Sequence, residues 1–183
     1  GCTDGTACNY DVAAVVDDAS CTYAAAGFDC NGDCLSGVAL TIDITADEYP
    51  IENTWSLTED GVEIAFGGGD DQNIVLCVDP SLCHEFTMAD SYGDGQFGSD
   101  FGGVDGTTTI TLDGTEVFTS TGGWGTSISG NFGGCVTGCG DLTANNYNSA
   151  ADIVDNSLCT YDLVQGCTDG TACNYDVAAV VDD

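Results

Sequence analysis

The chain has 183 residues and carries 31 aspartates and glutamates, no lysine, no arginine and one histidine, which gives a formal charge of −31 at pH 7. Because no cationic side chain can replace the counterions of phosphate groups, nucleic-acid binding and binding to an anionic membrane surface are excluded. No apolar run is long enough to cross a bilayer, so we expect no direct membrane insertion. Acidic chains are often disordered, but 43% hydrophobic and 9% aromatic residues are enough to build a core.

The two ends of the chain have the same sequence. Residues 1–18 read GCTDGTACNYDVAAVVDD, and residues 166–183 read the same eighteen letters, so Gly1 and Gly166 lie 165 positions apart. Identity at a fixed offset predicts a tandem repeat of 165 residues. We expect the chain to be an interior piece of a longer array, whose export signal lies elsewhere.

In chain order, the first predicted unit is a connector motif rich in cysteine and aspartate at residues 1–36. Its residues 1–23 recur in diverged form at 138–161, within a second predicted connector at 136–165, and the motif opens again at 166–183. The second copy has cysteines only at the positions equivalent to Cys2 and Cys21, namely Cys139 and Cys159. We therefore predict the internal disulfides Cys2–Cys21 and Cys139–Cys159.

Residues 37–135 form the second kind of unit, and they have the pattern of short β-strands. Val38–Ile44 alternates apolar and polar residues, which indicates a half-buried strand. Thr54–Phe66 predicts a hairpin that turns at Asp60-Gly61, and Thr107–Ser120 predicts another at Asp113-Gly114. We expect further strands on either side of the Asp79-Pro80 turn and a last one at Thr126–Phe132. Seven or eight such strands predict an all-β fold, an antiparallel and jelly-roll-like β-sandwich.

The twelve cysteines indicate an extracellular protein. They are even in number, no histidine accompanies them, and local Asp and Gly favour disulfides over a structural zinc site at Cys30 and Cys34. We expect Cys77 and Cys83 to staple a hairpin, Cys34 and Cys135 to tie the ends of the sandwich, and Cys8 to pair with Cys30 or Cys34. The predicted disulfide cysteines are Cys2, Cys8, Cys21, Cys30, Cys34, Cys77, Cys83, Cys135, Cys139 and Cys159.

Calcium is the predicted cofactor, because carboxylates that have no internal cation need a neutralising charge from solution, and hard oxygen ligands suit Ca²⁺. The first candidate is the glycine-rich loop after the DSYGDG run, where glycine lets the backbone bring several oxygens onto one ion; its ligands are Asp90, Asp94, Asp100 and Asp105. The alternative for this loop is a solvated turn.

Two further sets of oxygen ligands are predicted. FDCNGDC alternates oxygen-bearing side chains at Asp29, Asn31 and Asp33, although the later glycine and glutamate of an EF-hand are missing. The connectors offer recurring acidic and amide residues, of which Asn9 and Asn146 could instead cap or bridge the backbone. The connector candidates are Asp4, Asn9, Asp11, Asp17 and Asp18 in the first copy, and Asp141, Asn146 and Asp155 in the second.

The motif GCTDGTACNYDVAAVVDDASCTY resembles the "GCTD-x-x-A-x-NY-x-x-x-A-x-x-x-D-x-SC" modules of large secreted repeat proteins of marine bacteria. The central unit resembles a β-sandwich of such proteins, and the matching marks are Trp55-Ser56-Leu57, Cys77 and Cys83 followed by Phe86-Thr87-Met88, and Asp90–Gly95. The resemblance implies a surface or matrix role. A cysteine pair that it implies after DSYGDG is replaced here by Gln96-Phe97-Gly98, which implies a less constrained, more metal-dependent loop.

No catalytic constellation stands out, so we expect no enzymatic activity. His84 is a single histidine without an evident nucleophile partner, and we expect it at the surface or at a strand end. The functional hypothesis is a structural repeat unit of an extracellular fibre or cell-surface or matrix protein, in contact with neighbouring repeats of the same protein. The alternative is a calcium-dependent adhesion module that binds surface glycans, with Trp124 or Trp55 as a platform.

Overall fold

The structure is a computed structural model, and it describes residues 1–99, 102–179 and 181–182. These residues form strands, turns and short 3-10 turns, among them Pro50–Glu52 and Asn156–Leu158, and no α-helix occurs among the described residues. The chain divides into two compact units, Gly1–Gly134 and Cys135–Asp183. The first unit holds the sandwich together with the first connector.

Eight strands build the sandwich, and their number and positions follow the predicted pattern. They are β1 Val38–Thr45, β2 Asn53–Glu59, β3 Val62–Gly68, β4 Gln72–Val78, β5 Cys83–Asp90, β6 Thr107–Leu112, β7 Thr115–Thr121 and β8 Ser127–Gly133. The second unit has one short parallel ladder between β9 Thr137–Gly138 and β10 Ile153–Val154.

The eight strands form two antiparallel four-stranded sheets, with the strand orders β4-β1-β6-β7 and β3-β2-β5-β8. The all-β prediction with two packed antiparallel sheets is therefore confirmed. Alternate residues of each strand point inward, as in Leu40, Ile42 and Ile44 of β1, which are almost fully buried. They pack against inward residues of the other sheet, among them Leu57 and Phe86.

The two predicted hairpin turns are confirmed. Asp60 and Gly61 have φ values of 46° and 76°, and Asp113 and Gly114 have 49° and 73°. Positive φ at both central residues is the type I′ geometry that matches the twist of paired strands, and Asp-Gly is one of the few dipeptides that adopt it readily.

Within each sheet, odd-numbered and even-numbered strands run in opposite directions, because every ladder joins an odd strand to an even one in antiparallel register. The Ala46 N–H in the loop after β1 donates to Asp71 Oδ1 in the loop after β3 at 2.7 Å, so the corresponding ends of the two sheets lie together. The loops that follow β1, β3, β5 and β7 therefore gather at one end, which we name the acidic pole after its carboxylates. Those carboxylates are Asp47, Glu48, Glu52, Asp70, Asp71, Asp90, Asp94 and Asp105.

The chain enters and leaves the sandwich at the opposite end, which we name the connector pole. Gly37, which precedes β1, lies so close to the Val78 carbonyl that a Cβ would overlap it. Gly134, which follows β8, has the same relation to the Ser81 carbonyl, and its N–H donates to Leu82 O at 2.8 Å. Entry and exit thus flank one turn, the one between β4 and β5.

All ten cysteines that were predicted to form disulfides are disulfide-bonded. The internal pairs Cys2–Cys21 and Cys139–Cys159 are confirmed, and Cys8 pairs with Cys30. Since Cys30 and Cys34 are both engaged in disulfides, the zinc alternative for this pair is excluded.

The predicted staple between Cys77 and Cys83 is wrong, because Cys77 pairs with Cys34. β4 and β5 lie in different sheets, so the Asp-Pro turn crosses between the sheets and does not close a hairpin. The same pairing overturns the expectation that Cys34 and Cys135 tie the ends of the sandwich. Cys34 instead fixes the end of the first connector to β4, whose Cys77 lies opposite Ala39 of β1.

Candidate metal centre

The predicted ligands of the connectors are engaged in hydrogen bonds that recur between copies. Asp4 Oδ1 accepts from Thr6 N at 2.9 Å and Thr6 Oγ1 at 2.8 Å, and its Oδ2 accepts from Tyr23 OH at 2.8 Å. Asp141 repeats all three bonds with Thr143 and Tyr161. The Thr6 N–H is the main cause of the lowered pKa of Asp4, with the Thr6 and Tyr23 hydroxyls adding to it.

Asn9 and Asn146 bridge the backbone, which was the alternative to metal binding. Asn9 Nδ2 donates to Ser20 O at 2.6 Å, and its Oδ1 accepts from Thr22 N at 2.8 Å. Asn146 makes the equivalent bonds to Leu158 O and Thr160 N, both at 2.8 Å. Each amide therefore closes the motif beside its own disulfide.

The remaining connector candidates accept bonds from backbone groups two residues onward, the pattern of Asx turns. This holds for Asp11 with Ala13, Asp17 with Ala19, Asp18 with Ser20 and Asp155 with Ser157, at 2.9–3.1 Å. In the described part of the chain, these carboxylates are not brought together as a group of three.

The FDCNGDC segment is organised by one of its three candidates. Asp29 Oδ1 accepts from Asn31 N at 2.8 Å and Asp33 N at 2.9 Å, and its Oδ2 accepts from Asn31 Nδ2 at 3.2 Å. The Asp33 and Asn31 N–H groups are the main causes of its lowered pKa. The Asp29 carboxylate thus shapes a tight turn, while Asn31 and Asp33 lie exposed.

One group of three acidic side chains among the described residues brings its oxygens within 4.8 Å of one another, and it consists of Glu52, Asp90 and Asp94. Asp90 and Asp94 come from the predicted loop, whereas Glu52 comes from the loop before β2. Asp105 lies apart from this cluster and accepts from Gly98 N at 3.0 Å and Ser99 N at 2.9 Å. Asp100 lies outside the described residues.

Asp90 is the organising residue of the cluster. It is 5% exposed at the end of β5, and four backbone N–H groups donate to its carboxylate, from Tyr92, Gly93, Asp94 and Gly95, at 2.6–3.1 Å. Burial opposes the charged form, but the N–H groups of Tyr92 and Gly95 outweigh it, so the pKa of Asp90 is lowered. The charged carboxylate therefore holds the DSYGDG loop in place.

The other two members of the cluster carry uncompensated charge. Burial, followed by the charges of Asp90, Asp94 and Asp47, raises the pKa of Glu52. Burial, together with the hydrogen bond and the charge of Asp90, raises the pKa of Asp94. Like charges that disfavour each other's ionised form are the electrostatic condition that a bound cation relieves.

A buried amide oxygen adds a neutral candidate ligand. Asn53 is 2% exposed, lies directly opposite Asp90 in the β2–β5 ladder, and its Oδ1 has no hydrogen-bond partner. Directly opposite residues of a ladder point to the same face with their Cβ atoms about 5 Å apart, so the two side chains lie next to each other. Asn53 Nδ2 donates to Asp47 Oδ2 at 3.3 Å, which orients the amide.

A cavity of about 230 Å³ opens over this cluster. Its walls are Tyr49, Glu52, Tyr92 and Asp94. The two tyrosines are 44% and 68% exposed, so they present ring surface to solvent beside two carboxylates.

Gln96 anchors the loop where the resemblance implied a cysteine pair. It is fully buried, its Oε1 accepts from Thr108 Oγ1 at 2.9 Å and Ser120 Oγ at 3.5 Å, and its Nε2 donates to Thr45 O at 3.5 Å. A neutral hydrogen-bond network thus takes a tethering role that two cysteines would fill covalently.

Sequence reasoning missed Glu52, Asn53 and Asp47. The first two stand in the run Pro-Ile-Glu-Asn, which has no glycine-rich or alternating acidic pattern. Only the register of β2 against β5 brings them to Asp90, and a single sequence does not reveal that register.

The aromatic platforms and the histidine are placed differently from the expectation. Trp55 is 3% exposed in the core, and Trp124 packs against the same core. His84 is fully buried near the start of β5, its Nε2 lies 3.0 Å from Glu59 Oε2, and its ring stacks on Phe132. The strand-end position expected for His84 is therefore correct, whereas the surface alternative is wrong, because the residue packs inside the sandwich.

Among the described residues, no helix is long and apolar enough to cross a membrane. Comparison of the chain with protein-family models, with curated proteins and with solved structures finds no match to it.

Proposed function

We propose that the chain is a structural repeat unit of an extracellular fibre or of a cell-surface or matrix protein. Disulfides and Ca²⁺ rigidify the unit, and neighbouring repeats of the same protein are its partners. The proposal includes no catalytic activity.

The disulfides support a mechanical role for the unit. Within the first connector, Cys2–Cys21 closes the motif at residues 1–23, and Cys8–Cys30 links this motif to the FDCNGDC segment. Cys34–Cys77 then links the end of the connector to β4. Such cross-links persist in oxidising, extracellular surroundings. The first connector and the sandwich are thus one covalently braced body.

The observation that carries the calcium proposal is the cluster of Glu52, Asp90 and Asp94 in a chain without lysine or arginine. Since no side chain of the protein can neutralise these carboxylates, the cation comes from solution. Three carboxylates and the amide oxygen of Asn53 are the hard ligands that Ca²⁺ prefers, and it takes six to eight oxygens in all.

Chelation tests this proposal. We expect EDTA to lower the melting temperature of the native protein and added Ca²⁺ to restore it, while Glu52→Gln raises the Ca²⁺ concentration needed for half of the effect. Glu63→Gln, at an exposed site on β3 outside the cluster, is the matched control. A melting temperature that does not change with EDTA would contradict the calcium proposal. Electron microscopy of the longer array tests the fibre, and dispersed, unassociated chains in Ca²⁺ would contradict it.

A further inference from the structure

The acidic pole lies away from both chain connections of the sandwich. Entry at Gly37 and exit at Gly134 flank the turn between β4 and β5. Glu52, Asp90 and Asp94 lie at the opposite end of the sandwich, next to the start of β2 and the end of β5. The metal cluster is therefore remote from the points where the polypeptide joins the sandwich to its connectors, and a joint between them is not its role.

The pole offers more than an acidic cluster. The buried, unpartnered Oδ1 of Asn53 lies beside Asp90, and a cavity of about 230 Å³ stands over the carboxylates between Tyr49 and Tyr92. A cavity of this size is below the range of sites for drug-sized ligands and suits one small ring.

We propose that this cavity binds one residue of a neutral, polyhydroxylated glycan through the Ca²⁺ ion of the proposed function, on which the inference rests. The ion, held by Glu52, Asp90 and Asp94, has coordination positions left for two sugar hydroxyls, because Ca²⁺ takes six to eight oxygens. The exposed surfaces of the tyrosine rings contact the C–H face of the sugar.

The negative charge of the acidic pole determines whether neutral or anionic sugars bind. Asp47 and Glu48 accompany the cluster at the same pole, and Asp47 Oδ2 lies 3.3 Å from the Nδ2 of Asn53, which is the neighbour of Glu52 in the chain. One divalent ion does not neutralise this many carboxylates, so sulfated or carboxylated glycans are repelled. The preferred ligand therefore has vicinal hydroxyls and no charge.

The test uses the full 183-residue chain on an array of neutral and anionic oligosaccharides, with Ca²⁺ and with EDTA. We expect neutral oligosaccharides to be bound in Ca²⁺ only. The double variant Tyr49→Ala/Tyr92→Ala should weaken this binding about tenfold or more, and Tyr92→Phe should keep it, because the ring and not the hydroxyl makes the contact. Phe66→Ala is the matched control, since Phe66 is an exposed aromatic (75%) on the outer face of β3.

Calorimetry with Ca²⁺ alone separates the two proposals. If the chain binds Ca²⁺ and no neutral oligosaccharide, the glycan inference is overturned and the calcium proposal stands. If it binds no Ca²⁺, both fail. Sugar binding that persists in EDTA, or that is lost in Phe66→Ala and kept in the double tyrosine variant, overturns the assignment of this cavity.

Discussion

The two complete connectors differ in how they are fastened, although their internal bonds are the same. Each has one internal disulfide, one asparagine that bridges the backbone, and one tyrosine that donates to the first aspartate. In the first copy, Cys8 adds a second disulfide to Cys30. In the second copy, Asn145 stands at that position and donates to Asp162 Oδ1 at 2.7 Å.

The comparison shows what holds a motif that has almost no apolar core. Cys2 and Ala7 are buried in the first copy and Cys139 and Ala144 in the second, while nearby valines are largely exposed, such as Val15 at 93%. Turn-forming carboxylates and one disulfide are therefore sufficient to define the conformation. The second disulfide of the first copy also attaches it to the FDCNGDC segment.

Removal of the internal disulfides should have the largest effect. Cys139→Ser/Cys159→Ser opens a loop with a sequence separation of 20, which corresponds to roughly 3 kcal/mol of stabilisation. We expect amide exchange in residues 138–161 to become fast. Cys2→Ser/Cys21→Ser should leave more protection in residues 1–23, because Cys8–Cys30 still holds that copy. Equal loss of protection in the two copies would break the comparison.

Metal removal should destabilise the sandwich and leave both connectors unchanged. If Ca²⁺ is present at about a hundred times its dissociation constant, chelation removes about 2.7 kcal/mol from the stability of the folded state that binds it. We expect this loss in the strands next to the acidic pole and no change in connector amides, because the described connector carboxylates do not come together as a group of three. Hydrogen exchange with and without EDTA checks it. Deprotected connectors would place the metal there instead.

Substitution of the bridging asparagines should have a smaller effect that is similar in the two copies. Asn9→Ala and Asn146→Ala each remove two hydrogen bonds to the backbone. At about 1 kcal/mol for each bond, the loss is about 2 kcal/mol of local stability. Asn145→Ala, which removes one bond, is the matched control and should lose about half as much. Denaturant-dependent hydrogen exchange measures these losses, and a larger effect of Asn145→Ala would contradict them.

The response to pH should have opposite signs in the two regions. The pKa values of Asp4 and Asp141 are lowered by their bonds to Thr6 and Thr143, so their contribution to stability is present above the unfolded-state pKa and is lost as pH falls through the folded-state value. The pKa values of Glu52 and Asp94 are raised, so metal-free protein should gain stability at the acidic pole as pH falls through their folded-state values. This gain should end where pH reaches the lowered pKa of Asp90, because protonation of Asp90 weakens its hold on the DSYGDG loop.

Amide exchange of metal-free protein across the acidic range checks this smallest effect. Connector amides should lose protection with acid while those near Glu52 and Asp94 gain it. If protection changes in the same direction in both regions, repulsion between the carboxylates of the acidic pole does not lower the stability of the folded state. With Ca²⁺ bound the second trend should reverse, because protonated carboxylates release the ion.

The strands could be predicted from local patterns, and their partners could not. Alternation in Val38–Ile44 and the Asp-Gly turns gave correct strands and hairpins, because these signals lie within a few residues. The cysteines at 77 and 83 look local too, yet β4 and β5 belong to different sheets. Which strand lies next to which depends on packing over the whole core.

The candidate site was predictable to the same extent. Asp90 and Asp94 stand in a glycine-rich acidic run, and the sequence points to them directly. Glu52 and Asn53 lie about forty residues earlier, in a segment without a glycine-rich or alternating acidic pattern, and the β2–β5 register places them next to Asp90. In the connectors the acidic pattern was read as metal binding, whereas carboxylates two residues before an N–H more often close turns.

The position of the two chain connections has a mechanical consequence. Because Gly37 and Gly134 contact carbonyls of the same turn, the path of the polypeptide returns nearly to its starting point after nearly a hundred residues. In the array that we propose, tension would meet the sandwich at two neighbouring points, and the Cys34–Cys77 bond would transfer the pull into β4 before it reaches β1. An intact sandwich would therefore add little to the contour length of the proposed array. Since the Cys34–Cys77 disulfide closes a loop that includes β1, β2, β3 and most of β4, these strands would not lengthen the chain even after the sandwich ruptures.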